Sequence, residues 1–410
     1  MNNLSLQSSL GKEIFNATQK FNSSLSVPQQ RNLRELVRGM TLAESSYLGE
    51  IGNVSASEIN KRKNTERLSN TLSKIDSEKF HIQHISPKAF SYRNEPVLLF
   101  ADGGDIQKPY AKKMEKVCKN IDGSAGHKTG KGYPMFSVAA YGLHSKNLHP
   151  LVQHLWSTKE KEFKSEWCEY QKAYSWLSDF VQSSLYDRIV IEDRGGDDEK
   201  RFLYYREELC ASFVTRVCLG ARSRKVIIEN EYEEQEAISI QELSKRMRTK
   251  ASSPRRWKNK KVKKTLTSKI SYKKVFLPNR KDIPLYAIFC YSEGYANPLV
   301  VLTDLQVKDV DTAWKYFFYY KKRWEIENFF RAEKQSLKAE KFLIRDFNKI
   351  KALMFLFMFM ISFLAELRQK IQSFLGNLYL LFQDFCKREQ RNGEHQYLDI
   401  LAFLKDSLQG

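Results

Sequence analysis

Fourteen consecutive residues, Ala352 to Ala365 (ALMFLFMFMISFLA), carry no charge. Burial in lipid or in protein is the only stable environment for so apolar a stretch. It falls short of the roughly 20 residues that a membrane span needs, and Lys349 and Lys351 precede it while Glu366 and Arg368 follow. The expectation is a buried helix of a protein with no membrane partner. With 410 residues, 42 % of them hydrophobic and 13 % aromatic, the chain has ample material for cores around such a helix. Wholesale disorder is excluded, and at roughly 100–200 residues per domain the length predicts more than one domain.

Charge narrows the partners. The chain has 68 Lys and Arg against 48 Asp and Glu, a formal net charge of +20. An excess of this size points to polyanions, of which nucleic acid and anionic membrane surfaces are the usual ones. Six cysteines, Cys118, Cys168, Cys210, Cys218, Cys290 and Cys386, stand singly, with no CxxC pair and no histidine spaced to complete a zinc site. They read as reduced packing residues. The first thirty residues show no apolar signal-peptide core, so the expected location is the cytoplasm.

Up to about Ile85 the pattern is polar and helical, with Leu33, Leu36, Val37 and Met40 at helical spacing, and predicts three or four short helices. Its second half, ASEINKRKNTERLSNTLSK, has a composition suited to a DNA-contacting helix or to a solvated face. From Glu95 the style changes. PVLLF, YPMFSVAAYGL and LHPLVQHLW read as three successive strands, Lys161 to Leu185 as a helix, DRIVIED as a strand, EKRFLYYREELC as a helix and ASFVTRVCLG as a strand. That order predicts a mixed α/β core. Lys245 to Lys281 then holds sixteen Lys or Arg and no acidic residue, with Trp257 and Tyr272 interleaved. Short strands follow, so a β-rich insertion with a basic face is expected, in which Arg255, Arg256, Trp257 and Lys258 could bind phosphates and stack bases. A long helix is predicted from Asp309 to about Lys338, and helix again from Lys349 to Leu408.

Two constellations could carry chemistry. In YYKKRWEIENFFRAEKQSL, Tyr320, Arg323, Glu327 and Lys334 fall within about 60° of one another on an ideal helix at about 100° per residue. An i,i+4 salt-bridge ladder would explain Arg323 with Glu327 equally well, and Glu325 lies on a different face. Secondly, Asp102 closes VLLFAD and Asp193 closes IVIED, each before a glycine turn, where a carboxylate stands at the rim of a sheet. Two such carboxylates and a helical glutamate could hold two hard divalent cations about 3.5–4 Å apart, Mg²⁺ being the natural choice. GSAGHKTGKGY fails as a phosphate loop, since Gly132 stands where Ser or Thr should follow the lysine. The histidines form no hydrolase triad.

The spacing YxxRxxxExxxxxxK, met by Tyr320, Arg323, Glu327 and Lys334, resembles that of DDE transposases of bacterial insertion sequences with the YREK signature. The resemblance extends to ADGGDIQKPYAKKME around Asp102 and VIEDRGGD around Asp193, with 134 positions between Asp193 and Glu327. Gly103 and Gly104 depart from it, standing where relatives often have small hydroxyl residues. Asp105 competes with Asp102, which is preferred because it directly ends the strand, and Asp197 and Asp198 beside Asp193 read as helix caps.

The resemblance implies a ribonuclease-H-like mixed sheet with flanking helices, interrupted by the β-rich insertion. It implies Asp102, Asp193 and Glu327 as catalytic ligands of two Mg²⁺ ions, for which Mn²⁺ would substitute, and cut-and-paste transposition through a DNA hairpin. Arg323 and Lys334 would clamp phosphates, Tyr320 would hydrogen-bond one, and Trp324 would stack on a flipped base or pack in the core. The expected layout is 1–88, a helical DNA-binding domain; 89–220, the first part of the catalytic domain; 221–308, the insertion; 309–346, the motif helix; and 347–410, a helical dimerisation region. Partners would be double-stranded DNA and a second copy of the chain, in a nucleoid-associated bacterial protein. A metal-dependent nuclease without strand transfer and a non-catalytic basic DNA-binding protein are the alternatives.

Overall fold

A computed structural model describes residues 3–54, 60–122, 128–221, 223–229, 234–259, 264–374, 382–383, 385–386, 389, 399–400 and 402–404. The expectations for Ala56 to Ile59, for GSAGH, for Lys260, Lys261 and Lys263 and for most of 375–410 lie outside these residues. The protein is mixed α/β. Two compact units divide it, one made of Met1–Arg93, Asp102–Ser183 and Glu325–Gly410, the other of Asn94–Ala101 and Ser184–Trp324.

Among the described residues five α-helices open the chain where the patterning predicted three or four: α1 (Asn3–Thr18), α2 (Val27–Ala43), α3 (Leu48–Val54), α4 (Lys61–Leu72) and α5 (Ser77–Ser91). Their starts are written locally. Ser26 and Gln29 form a capping box at α2 with Pro28 in its first turn, and Asp76 accepts the Glu78 and Lys79 N–H groups at α5. Then come β1 (Val97–Gln107), β2 (Cys118–Asp122), β3 (Lys128–Gly142) and β4 (Leu148–Leu155), of which β2 was not foreseen. The helix expected over 161–185 is two, α6 (Glu166–Ser175) and α7 (Ser178–Gln182), because Leu177 N–H turns back to Tyr174 O at 2.9 Å.

Next are β5 (Arg188–Glu192), α8 (Glu199–Glu207) and β6 (Ser212–Arg216). Residues 221–308 hold β7 (Lys225–Glu229), β8 (Gln235–Ser239), α9 (Ile240–Met247), β9 (Ser252–Asn259), β10 (Lys264–Leu277), β11 (Arg280–Ser292) and β12 (Leu299–Thr303). After β12 come α10 (Val310–Lys322), α11 (Trp324–Arg331), a π turn (Ala332–Ser336) and α12 (Phe347–Phe374).

The twelve strands form a mixed sheet of order β2-β3-β1-β5-β6-β12-β11-β10-β7-β8, with β4 on β3 and β9 on β10. In the second unit β1 pairs parallel to β5 through Val97–Phe100, and β5 parallel to β6. Strands buried on both faces, such as RIVIE of β5, read as continuous apolar runs for this reason. Beyond β6 every pairing is antiparallel, and β10 and β11 make its longest hairpin.

The first unit is built on α12. Leu353 to Leu364 are 0–3 % exposed, covered by β4, all of whose residues are buried, and by α2, α4, α5 and the π turn. The helix is long and apolar enough to cross a membrane, yet 83 % of its most apolar stretch is buried inside the chain. A single copy thus covers the run, and its apolarity by itself calls for no dimer. Phe355 lies at the centre, with ring contacts to Phe21, Phe80, His81, His84 and Phe359. Lys88 of α5 forms a buried ion pair with Glu366 at the helix's polar end. Truncating a fully buried phenylalanine costs about 3–5 kcal/mol. Phe355→Ala is therefore expected to lower the unfolding free energy read from urea denaturation by an amount of that size, and an unchanged urea midpoint would contradict this account of the core.

Candidate active site

Asp102 does not end its strand. β1 continues through Gln107, and Gly103 and Gly104 are part of it rather than a turn. At Gly103 the departure from the resembled pattern has a steric cause, since a Cβ there would stand 2.9 Å from Tyr170 Oη, whereas one on Gly104 would make ordinary contacts, 3.4 Å from Met135 Cε and 3.8 Å from the Phe330 ring. The Phe330 contact brings α11, the helix of Glu327, against the strand of Asp102. Both carboxyls are half-buried.

Asp105 is already engaged. It is 8 % exposed, and its carboxylate accepts Lys334 Nζ at 2.8 Å and Gln107 Nε2 at 2.9 Å. Lys334 also lies 3.6 Å from Glu340. Burial pulls the Lys334 pKa down, but the bond and charge of Asp105 more than offset it, so the net shift is upward. Lys334 is therefore a fixed ammonium, and Asp105 is the carboxylate that holds it.

The long helix expected from Asp309 to Lys338 is broken twice. α10 closes with Arg323 N–H on Tyr320 O at 3.0 Å, and the π turn closes with Leu337 N–H on Ala332 O at 3.1 Å. A uniform angle per residue therefore does not carry across Arg323, and the single 60° stripe is replaced by local placements. The buried positions give the reason for the second break. Ile326, Phe329, Ala332 and Leu337 are all at most 2 % exposed, and the last interval of five residues suits an i→i+5 bond.

In the second unit Asp193 follows β5 as the cap of a short 3₁₀ turn, Arg194–Gly196, and accepts Gly195 N–H at 2.9 Å. Arg323 Nη2 approaches its carboxylate to 4.0 Å. Tyr320 is buried at 6 % exposure, and Trp324 opens α11 half-buried. Asp198 does cap α8, while Asp197 pairs with Arg224 and accepts Cys218 N–H at 2.9 Å. Beneath the turn, Glu192 is 3 % exposed, held by Arg201 at 2.9 Å and Tyr205 Oη at 2.6 Å.

The basic β face is partly engaged as well. Arg255 pairs with Asp311 and lies over the Trp314 ring, Arg256 is exposed, and the Lys258 side chain lies outside the described set. Trp257 donates to Ser268 Oγ at 2.9 Å, and Lys321 Nζ sits 4.2 Å above its ring. Arg194, Arg216, Trp257 and Lys321 line a cavity of about 310 Å³. Burial is the main cause holding the Lys321 ammonium below its usual pKa, with Arg216 and Arg323 adding repulsion. Cations gathered in this way make the cavity electropositive. Sequence reasoning passed over Arg194, Arg216 and Lys321, although Arg194 sits inside the DRGG motif and Lys321 beside Tyr320.

Carboxylate oxygens are hard donors of the kind Mg²⁺ takes. Among the described residues no group of three or more His, Cys, Asp or Glu side chains is assembled to hold a metal ion. The Asp193 turn yields a sharp test. A Cβ on Gly196 would stand 2.1 Å from Glu192 Oε2, whereas one on Gly195 would meet nothing nearer than Asp193 Oδ1 at 3.8 Å. Overpacking of this kind costs about 1–3 kcal/mol. Gly196→Ala should lower the denaturation midpoint accordingly while Gly195→Ala leaves it close to wild type, and equal effects would refute the packing. No protein-family model matches the chain, and no curated protein matches it.

Proposed function

We propose that this chain is a DNA transposase of the insertion-sequence class that cuts and rejoins DNA at element ends. One observation carries the reading. Each cation of the YxxRxxxExxxxxxK spacing lies against a carboxylate of one of the two acidic strand motifs, Arg323 beside Asp193 and Lys334 beside Asp105. A surface salt-bridge ladder along one helix predicts neither pairing. Support for a ribonuclease-H-like core comes from the strand order β4-β3-β1-β5-β6, with β1, β5 and β6 parallel. Asp102 and Asp193 stand on or just after neighbouring parallel strands of that order, where open α/β sheets present ligand-binding residues.

In this reading Asp102, Asp193 and Glu327 would be the ligands of two Mg²⁺ ions, with Mn²⁺ as a substitute, and the ions would supply activation of water or a 3′-hydroxyl and stabilisation of the leaving oxygen. Arg323 offers a bidentate fork to the phosphate beside the scissile bond, and Asp193 orients it beforehand. Lys334, fixed by Asp105, supplies a point charge. Tyr320, being buried, contributes through its hydroxyl edge or through packing. Trp324 offers a ring for a base flipped out of a hairpin end. Arg255, Arg256, Trp257 and Lys258 on β9, with the cavity of Arg194, Arg216 and Lys321, follow the phosphate backbone. The active species is a dimer on two DNA ends, as the resemblance implies.

The test uses linear DNA carrying the ends of the element that encodes the protein, with Mg²⁺ or EDTA. Glu327→Ala should abolish end cleavage, by on the order of 10⁴-fold. Glu325→Ala, whose carboxylate accepts the Asn328 amide at 3.0 Å, should leave it near wild type. Equal rates in all three proteins, or cleavage indifferent to EDTA, would overturn the proposal. Hairpin formation on pre-nicked ends separates a transposase from a nuclease of the same site.

A further inference from the structure

Glu333 is a carboxyl that the proposed chemistry leaves without a part. Its side chain is 0 % exposed, in the π turn beside Lys334. One of its oxygens accepts the Gln153 amide from β4, and the other, Oε2, has no partner. Gln153 Oε1 has none either, although its Nε2 also reaches Met135 Sδ at 3.0 Å. An acid and an amide joined by one bond, each with an orphaned oxygen, are one proton short of a two-bond pair. A hydrogen on Glu333 Oε2 supplies the donor that both oxygens lack.

The surroundings favour that proton. Burial pushes the Glu333 carboxyl up to about 7, with Gln153 and Lys334 opposing and Glu340 reinforcing the shift. The charged groups that face it are Lys334 on its own turn, Glu340 just beyond and, through Lys334, Asp105 on β1. On the β4 side the Gln153 N–H donates to His81 Nε2 of α5, and burial holds that imidazole down to about 3, so it is neutral. α12, which packs on the turn, carries no charge from Ala352 to Ala365.

We infer that Glu333 and Gln153 form a neutral acid–amide latch that fixes the π turn and thereby sets Lys334 against Asp105. Glu333 is then a positioning residue for the cleavage site, a consequence that rests on the transposase reading, whereas the latch itself does not. Loss of the proton to solvent keeps the Gln153 amide bond to Glu333 but removes the second bond and leaves a buried charge, which weakens the anchor of the turn.

Thermal midpoints of wild type and Glu333→Gln between pH 5 and 8 test the latch. Glutamine keeps both bonds and does not titrate. A carboxyl whose folded pKa of about 7 exceeds its unfolded value of 4.5 contributes stability that is full below pH 4.5 and is lost as pH rises through 7. Wild type should therefore lose about 3 °C or more relative to the variant between pH 5 and 8. A pH-independent difference, or a variant that fails to fold at pH 5, would overturn the latch. In the end-cleavage assay wild-type kcat should fall about tenfold per unit above pH 7 with KM unchanged, while Glu333→Gln stays level. Identical profiles would overturn the positioning role. No cleavage by either protein, with the thermal difference present, would uphold the latch and sink the transposase reading.

Discussion

An uncharged helix of fourteen residues has to be covered, and the first unit is organised to do so. α12 is enclosed by the fully buried strand β4, by three of the N-terminal helices and by the π turn that follows the motif helix. Covering it draws together segments from both ends of the chain. The same burial decides the state of every polar group that borders it. His81, His84 and His149 are held neutral, Lys88 needs Glu366, and Glu333 is driven toward its protonated form. A core packed this densely tolerates a polar group only when its hydrogen bonds are met.

The acidic motifs are placed by β structure and their cationic partners by helix ends. β1 gives Val97–Ala101 to one unit and Asp102–Gln107 to the other, so Asp102 occupies the first position after the division. Asp193 sits on a turn that rests directly on buried Glu192, which leaves no room for a side chain at Gly196. Arg323 stands where α10 stops, and Lys334 where the π turn widens the helix. Interruptions of regular helix thus position both cations, as is common where a side chain must be aimed.

Much of this was legible in the residues. A continuous apolar run marked β1, strand-like segments marked β3, β4, β5, β10, β11 and β12, and the burial of Ala352 to Ala365 followed from its composition. Asp198 was readable as a cap because it precedes a helix by one residue. The misreadings share a cause. β1 was ended at Asp102 since glycines usually mark turns, whereas here both lie within the strand and Gly103 yields space to Tyr170, which comes from a distant segment. The motif helix was drawn straight since uniform periodicity has no term for the depth at which Leu337 must be buried.

By itself the sequence determined the element types, the charge and the order of the acidic and cationic motifs, because these depend on composition and short-range periodicity. Tertiary structure decided which carboxylate each cation meets, that Asp105 is consumed by Lys334, and that Glu333 shares a dry pocket with Gln153. Those outcomes join residues 130 to 229 positions apart, and only the packing of whole elements brings such residues within reach of a hydrogen bond.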